Sequence, residues 1–360
     1  MHLNLWLFVS FLLAATSLAS PIVNSTVHSR RATYNNPIKP GSGADPWVLQ
    51  HGDYYYLLYT TGGNVQVTRS SNLAQWAETG TVVYSPPSGY TDVWAPELHY
   101  INGQFYIYVA MAQNGENASH RMYVLHGTST TDPLQPFNLV GQITTSDNNW
   151  AIDGTVLIYQ NDPSRLYFIW SGWTDSSHQS TQNLYIAPMS SPTQISGGRV
   201  LLHEPTPSWQ QSGGEAINEG PEILVNNGRT FLVYSAAGSW TSAYCLAFMG
   251  IDGGADPLVR SNWWVLDDRP VMSSSDVAFG PGHASFPYDR NGVPYVVYHA
   301  DATADGGWAG RTIRTQSFGW NADSSPAFPS PAGFDTAFPL PASNAIIVSC
   351  NFSPLWSAQE

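Results

Sequence analysis

The chain has 360 residues, 13 Lys and Arg against 26 Asp and Glu, a net charge of −13, and Lys39 as its only lysine. That balance excludes a P-loop or Schiff-base lysine and a polybasic membrane patch, and it excludes nucleic acid as a partner, because phosphate binding needs clustered cations. The 14 Trp, 19 Tyr and 14 Phe suit both core packing and stacking on the apolar faces of sugar rings, so alone they decide nothing.

The N-terminus reads "MHLNLWLFVSFLLAATSLAS". Its apolar run is too short to span a bilayer and ends in small residues, as a signal peptide over 1–20 would. A segment over 21–36 follows, with Arg30-Arg31 as a dibasic processing signal. Sequons at Asn24, Asn117 and Asn351 fit export and glycosylation. Cys245 and Cys350 are the only cysteines; they could join as one disulfide or stay as two buried thiols.

From residue 37 onward the chain repeats itself. Strand-like aromatic runs follow turns at "HGDYYYLLYT", "NGQFYIYVA", "PSRLYFIWS", "NGRTFLVYS" and "NGVPYVVYH". Their anchors, Tyr55, Tyr106, Tyr167, Phe231 and Tyr295, recur at intervals of roughly fifty to sixty-five residues, a supersecondary period. A strand precedes each run, in "GADPWVL", "DVWAPELHY", "AIDGTVLIY", "NEGPEILV" and "PGHASFPYD", and another follows it, least clearly in "RTIRTQSFGW". Three or four strands repeated five times predict an all-β chain, a five-bladed β-propeller over 37–322. A pair of β-sandwiches would lack the matched phase of three elements. The Pro-rich tail over 323–360 reads as coil wrapped on the propeller.

In a propeller the first strand of each blade lines the axis. The polar residues on those strands are Asp45, Glu97 or Trp94, Asp153, Glu219 and His283. Asp45-Pro46 and Asp153-Gly154 could each be turns, and a single His is commonly a satisfied core residue. Glu219, inside the apolar "AINEGPEILV", is harder to explain that way, because an unpaired buried carboxylate is costly. A common phase would bring three acids to one end of the channel. Glu97 reads as a backbone or blade support. Glu222, Glu215 and Asp92 compete for the acid role, with Glu222 turned to the other strand face. Carboxylates in an aromatic pocket suit glycoside cleavage, which needs one acid for the leaving oxygen and one base or nucleophile opposite.

Taken in order, "GADPWV", "WAPEL", "AIDGTVL", "NEGPEIL" and "GPGHASF" resemble glycoside hydrolase family 43 over about residues 38–320. Fructan-active five-bladed families carry an Arg-Asp-Pro motif that is missing here. The resemblance implies an inverting, five-bladed enzyme of arabinosides or xylosides, with Asp45 as general base, Asp153 as pKa modulator and Glu219 as general acid. It implies that His283 helps hold a cation, often calcium, or water. It also implies that Arg311 (with Arg314 as its rival) contacts a sugar hydroxyl and that Trp94 walls the sugar site. The motif versions resemble the α-L-arabinofuranosidase branches, including exo-acting 1,5-arabinan hydrolases. β-Xylosidase, endo-arabinanase and a non-catalytic sugar-binding propeller are the alternatives. The expected partner is arabinan or arabinoxylan outside the cell, met by a monomer that needs no cofactor for its chemistry.

Overall fold

Tyr, Val and Ile dominate the repeated runs, and these residues fit a pleated, half-buried surface. In the computed structural model, which describes residues 32–179 and 181–343, each run is a strand. The expected signal peptide, the Arg30-Arg31 site, the sequons at Asn24 and Asn351, and Cys350 with any bond to the buried Cys245 lie outside the described residues.

Trp47–His51 pairs antiparallel with Tyr54–Leu58, which is followed by Val65–Ser70 and Thr81–Tyr84. Tyr90–Ile101, Gln104–Gln113, Glu116–Gly127 and Phe137–Gln142 repeat that meander. Two more runs, Ala151–Ile158 to Val200–His203 and Ala216–Asn226 to Trp263–Val265, join where Thr181 and Gln182 pair in parallel with Ala216 and Ile217. The last sheet has three strands, Phe279–Ser285, Tyr295–Asp301 and Thr312–Ser317. Asn-Gly turns close two of the first hairpins, with φ of 51° and 80° at Asn102-Gly103 and 48° and 76° at Asn227-Gly228. Both central residues are left-handed, as the tightest hairpins require.

Apolar clusters fill the space between consecutive sheets. Val65, Val67, Phe105 and Ile107 join the first to the second, and Tyr108, Met122, Phe168 and Trp170 join the second to the third. Ile169, Ile186, Leu232 and Tyr234 continue the series, followed by Phe231, Phe248, Val296 and Tyr298. A further cluster sets Tyr55 and Leu57 of the first sheet against Val297 and Ile313 of the last. Burial of one such side chain contributes about 1.5–3 kcal/mol, so every sheet depends on both neighbours.

Segments near both ends of the described residues reinforce the contact between first and last sheets. Ile38 N–H donates to Ile313 O at 3.0 Å, and the Asn36 amide both donates to Thr315 O and accepts from Thr315 N–H. Thr33–Asn35 pairs with Ala337–Pro339 of the tail. Among the described residues no helix is long and apolar enough to cross a membrane.

Every sheet has a left-handed residue in or just before its first strand: Asp45 (φ 56°), Ala95 (43°), Asp153 (54°), Gly220 (54°) and His283 (45°), with Asp92 (50°) and Gly280 (58°) as second ones in the strands of Ala95 and His283. The ladder slips beside four of them, between Trp94 and Glu97, Ile152 and Thr155, Glu219 and Glu222, and Gly282 and Ser285. Such bulges re-aim side chains at sheet rims, and a left-handed non-glycine costs about 1–3 kcal/mol. The expected common phase is corrected here. Asp153 and His283 share the bulge position, and Asp45 takes the same left-handed conformation two residues before Trp47–His51, whereas Ala95, not Trp94 or Glu97, holds the position in the second sheet. Glu219 stands one residue before it.

Candidate active site

The first strands lie side by side, and the strand of the last sheet also contacts that of the first. Their bulges open into a cavity of about 900 Å³ lined by Asp45, Trp94, Asp153, Glu219, His283 and Arg311, among others. All six expected site residues therefore meet in one place. Asp92 and Glu215 line it as well. Arg314 does not; it is fully buried elsewhere, donating to Ala332 O and lying over the Phe334 ring. Glu97 is buried against His99, 2.8 Å from its Nε2, and Glu222 is buried with its carboxylate on Ile223 N–H.

Asp45 is surrounded by donors. Its Oδ1 lies 3.2 Å from His283 Nδ1, 3.4 Å from His299 Nδ1 and 3.6 Å from Arg311, while Thr60 Oγ donates to Oδ2 at 2.6 Å. Burial pushes its pKa upward, but the charge and hydrogen bond of His283, together with Arg311, outweigh burial and hold the carboxyl well below its usual range. His299 is kept neutral by burial, with its pKa down to about 4, and its Nδ1 accepts the Asp45 backbone N–H at 3.1 Å.

Asp153 lies with Oδ2 3.9 Å from the same His283 Nδ1 that faces Asp45. Its Oδ2 accepts the N–H of Gly220 at 3.0 Å, which ties it to the residue after Glu219. Gly220 is required twice: it takes the left-handed bulge, and a Cβ there would press on the His283 ring at 3.0 Å. Burial is the largest influence on both acids. With Asp45 adding to it, Asp153 is pushed up to about 6, and with Asp153 adding to it, Glu219 is pushed up to about 8.

Glu219 Oε1 accepts the Tyr244 hydroxyl at 2.9 Å. Burial would neutralise His283, but the carboxylates of Asp45 and Asp153 overcome it and raise the imidazole to about 9. Tyr244, His299 and Thr60 were not singled out by the sequence reading. They sit on second and third strands or the loops beside them, where no motif marks them.

One wall of the cavity is aromatic. Trp94 stacks on His120 with ring centroids 4.0 Å apart, and Trp150 stacks on Trp173 at 4.6 Å. Trp240 and Trp308 meet edge to face across the rim at 5.7 Å, and Arg311 Nε donates to Trp308 O at 3.3 Å.

Among the described residues no three His, Cys, Asp or Glu side chains converge as metal ligands. His283 Nδ1 is already turned to Asp45, so a cation there would rest on one imidazole nitrogen and water. The residues present do not build a cation cage.

A family model described as glycosyl hydrolases family 43 matches residues 34–326. An extracellular exo-α-(1→5)-L-arabinofuranosidase of Streptomyces avermitilis is 30% identical over 348 residues, spanning 92% of this chain and 70% of its own length. α-L-Arabinofuranosidase 43 of Humicola insolens is 30% identical over 306 residues, and the match spans 80% of this chain and 62% of that protein. The crystal structure of an α-L-arabinofuranosidase from Lactobacillus brevis superposes with a TM-score of 0.77 at 31% identity, covering 84% of this chain and 98% of that one.

Proposed function

The chain belongs to glycosyl hydrolase family 43, and from that premise we propose that it is an inverting α-L-arabinofuranosidase releasing arabinose from arabinan or arabinoxylan, exo-acting on α-1,5 links. The observation that carries the reading is the opposed surroundings of two acids in one cavity, Asp45 beside His283 and Arg311 and Glu219 buried against Tyr244. Asp45 is held ionised and Glu219 protonated, as a base and an acid working together need to be.

In this reading Asp45 takes a proton from water as the water oxygen bonds to the anomeric carbon. The bond from that carbon to the leaving oxygen breaks, and its electron pair stays on that oxygen, which receives the Glu219 proton. Asp153 keeps Glu219 protonated by its charge and holds the adjoining backbone through Gly220. Arg311 and Trp94 bind the pentose. The cation implied beside His283 is given no step.

The architecture we propose is a closed five-bladed propeller. It is supported by the repeated meanders, by the cluster joining first and last sheets, and by a left-handed residue in or just before each inner strand. Secretion is likewise proposed, in line with relatives named as extracellular, as is a monomer acting directly on plant cell-wall polysaccharide.

The test is product analysis by NMR on p-nitrophenyl α-L-arabinofuranoside, debranched arabinan and arabinoxylan. Arabinose released first as the β-anomer, from chain ends, is the expected result. First-formed α-arabinose would overturn inversion. Xylose or internal oligosaccharides would move the assignment to β-xylosidase or endo-arabinanase, and no hydrolysis of any pentoside would leave a sugar-binding protein.

A further inference from the structure

Tyr244 stands behind Glu219, outside the set of acids, and touches both halves of the site. Its side chain is fully buried, and its hydroxyl donates to Glu219 Oε1 at 2.9 Å. Its ring lies flat on His299, with centroids 5.4 Å apart and planes 2° from parallel. His299 in turn accepts the Asp45 backbone N–H. Space for the ring exists because residue 282 is glycine: a Cβ there would overlap the Tyr244 ring edge. The next residue, His283, donates its N–H to Ser235 Oγ at 2.7 Å.

We infer that Tyr244 is a positioning residue that decides which oxygen of Glu219 delivers the proton. A phenol has one hydrogen, and here it is committed to Oε1. In the neutral acid Oε1 is then the carbonyl oxygen, and the proton rides on Oε2. When Oε2 gives its proton to the glycosidic oxygen, negative charge spreads onto Oε1. The Tyr244 hydrogen bond turns from neutral to charge-assisted, about twice as strong. It therefore tightens as the leaving group departs, which is the kind of interaction that lowers a barrier. Tyr244 remains a donor throughout, because burial keeps its hydroxyl protonated far above working pH.

This inference rests on Glu219 being the general acid, and its test separates the two. Tyr244→Phe keeps the ring, its stacking and the packing over Gly282, so the fold is retained. For an arabinooligosaccharide, whose leaving group needs the proton, kcat should fall about tenfold to a hundredfold with KM nearly unchanged. For a 2,4-dinitrophenyl arabinofuranoside it should change by less than about threefold. The alkaline limb of kcat/KM should move to higher pH, because the lost bond had favoured ionised Glu219. Gly282→Ala, which expels the ring, should give the same split between leaving groups. An activity-independent readout is the infrared carbonyl band of protonated Glu219, identified by its loss in Glu219→Gln; it should shift upward in Tyr244→Phe. An unshifted band, or an unchanged leaving-group ratio with an unmoved alkaline limb, overturns the inference. Wild-type enzyme inactive on every pentoside would instead overturn the proposed function, while the infrared band still decides the hydrogen bond.

Discussion

His283 Nδ1 lies 3.2 Å from Asp45 Oδ1, and the same nitrogen is 3.9 Å from Asp153 Oδ2. One imidazolium nitrogen faces two carboxylates, and its charge favours both as anions. Its backbone is held left-handed at φ 45°, a strain repaid by this placement.

Replacing His283 by Gln removes the cation that keeps Asp45 ionised at low pH. Asp45 should then protonate at higher pH, so the acid limb of kcat/KM should move upward. At pH 4–5 the loss of activity should exceed the loss at pH 7. A pH–rate profile checks this; a limb that stays in place would show that His283 does not set the base.

Glu219→Gln removes the proton donor but keeps its shape. Activity on an arabinooligosaccharide should fall by about 10²–10⁴, and the deficit should shrink as the leaving group improves. Rates across a series of aryl arabinofuranosides give the slope, which should be steeper for the variant.

The raised groups also predict how stability changes with pH. Folding lifts Glu219 from 4.5 to about 8, Asp153 from 3.8 to about 6 and His283 from 6.5 to about 9. A group raised by folding adds stability below its unfolded value and loses it as pH climbs to the folded one. Tm should therefore decline between about pH 5 and 9. Asp45, lowered by folding, adds stability above 3.8 and loses it on further acidification. Glu219→Gln, which cannot ionise, should give a shallower decline on the alkaline side. Scanning calorimetry across that range is the check, and parallel curves for the two proteins would count against it.

Gly154→Ala tests the packing beneath Asp153. A methyl there would overlap the Phe168 ring and approach Met122 Cε at 2.9 Å. Overpacking of this kind costs about 1–3 kcal/mol, so the variant should unfold at lower denaturant concentration with an unchanged m-value.

Arg311→Ala should act on binding and on the base together. Arg311 is 3.6 Å from Asp45 and donates to Trp308 O. Its loss should raise KM and shift the acid limb slightly upward, by less than His283→Gln does. Steady-state kinetics at several pH values separate the two effects.

Much of this molecule was legible in its residues. Aromatic and β-branched runs after Asn-Gly turns fixed where strands start, because alternation and turn chemistry are local properties. The short motifs around Asp45, Trp94, Asp153, Glu219 and His283 identified the residues that meet in the cavity. Tyr244, His299 and the equivalence of Ala95 with Asp45 were not legible. A bulge shifts the pleat by one residue without a fixed sequence mark, so it moved Glu219 out of the phase that spacing suggested. The partners that set protonation come from other parts of the chain: Tyr244 reaches Glu219 from just before the third strand of the same sheet, and His299 reaches Asp45 across the contact between last and first sheets. The sequence by itself determined the strands and the acids. Which acid is held ionised, and which oxygen of Glu219 meets Tyr244, was decided only by tertiary structure, because burial and charge act through space between residues that no local pattern connects.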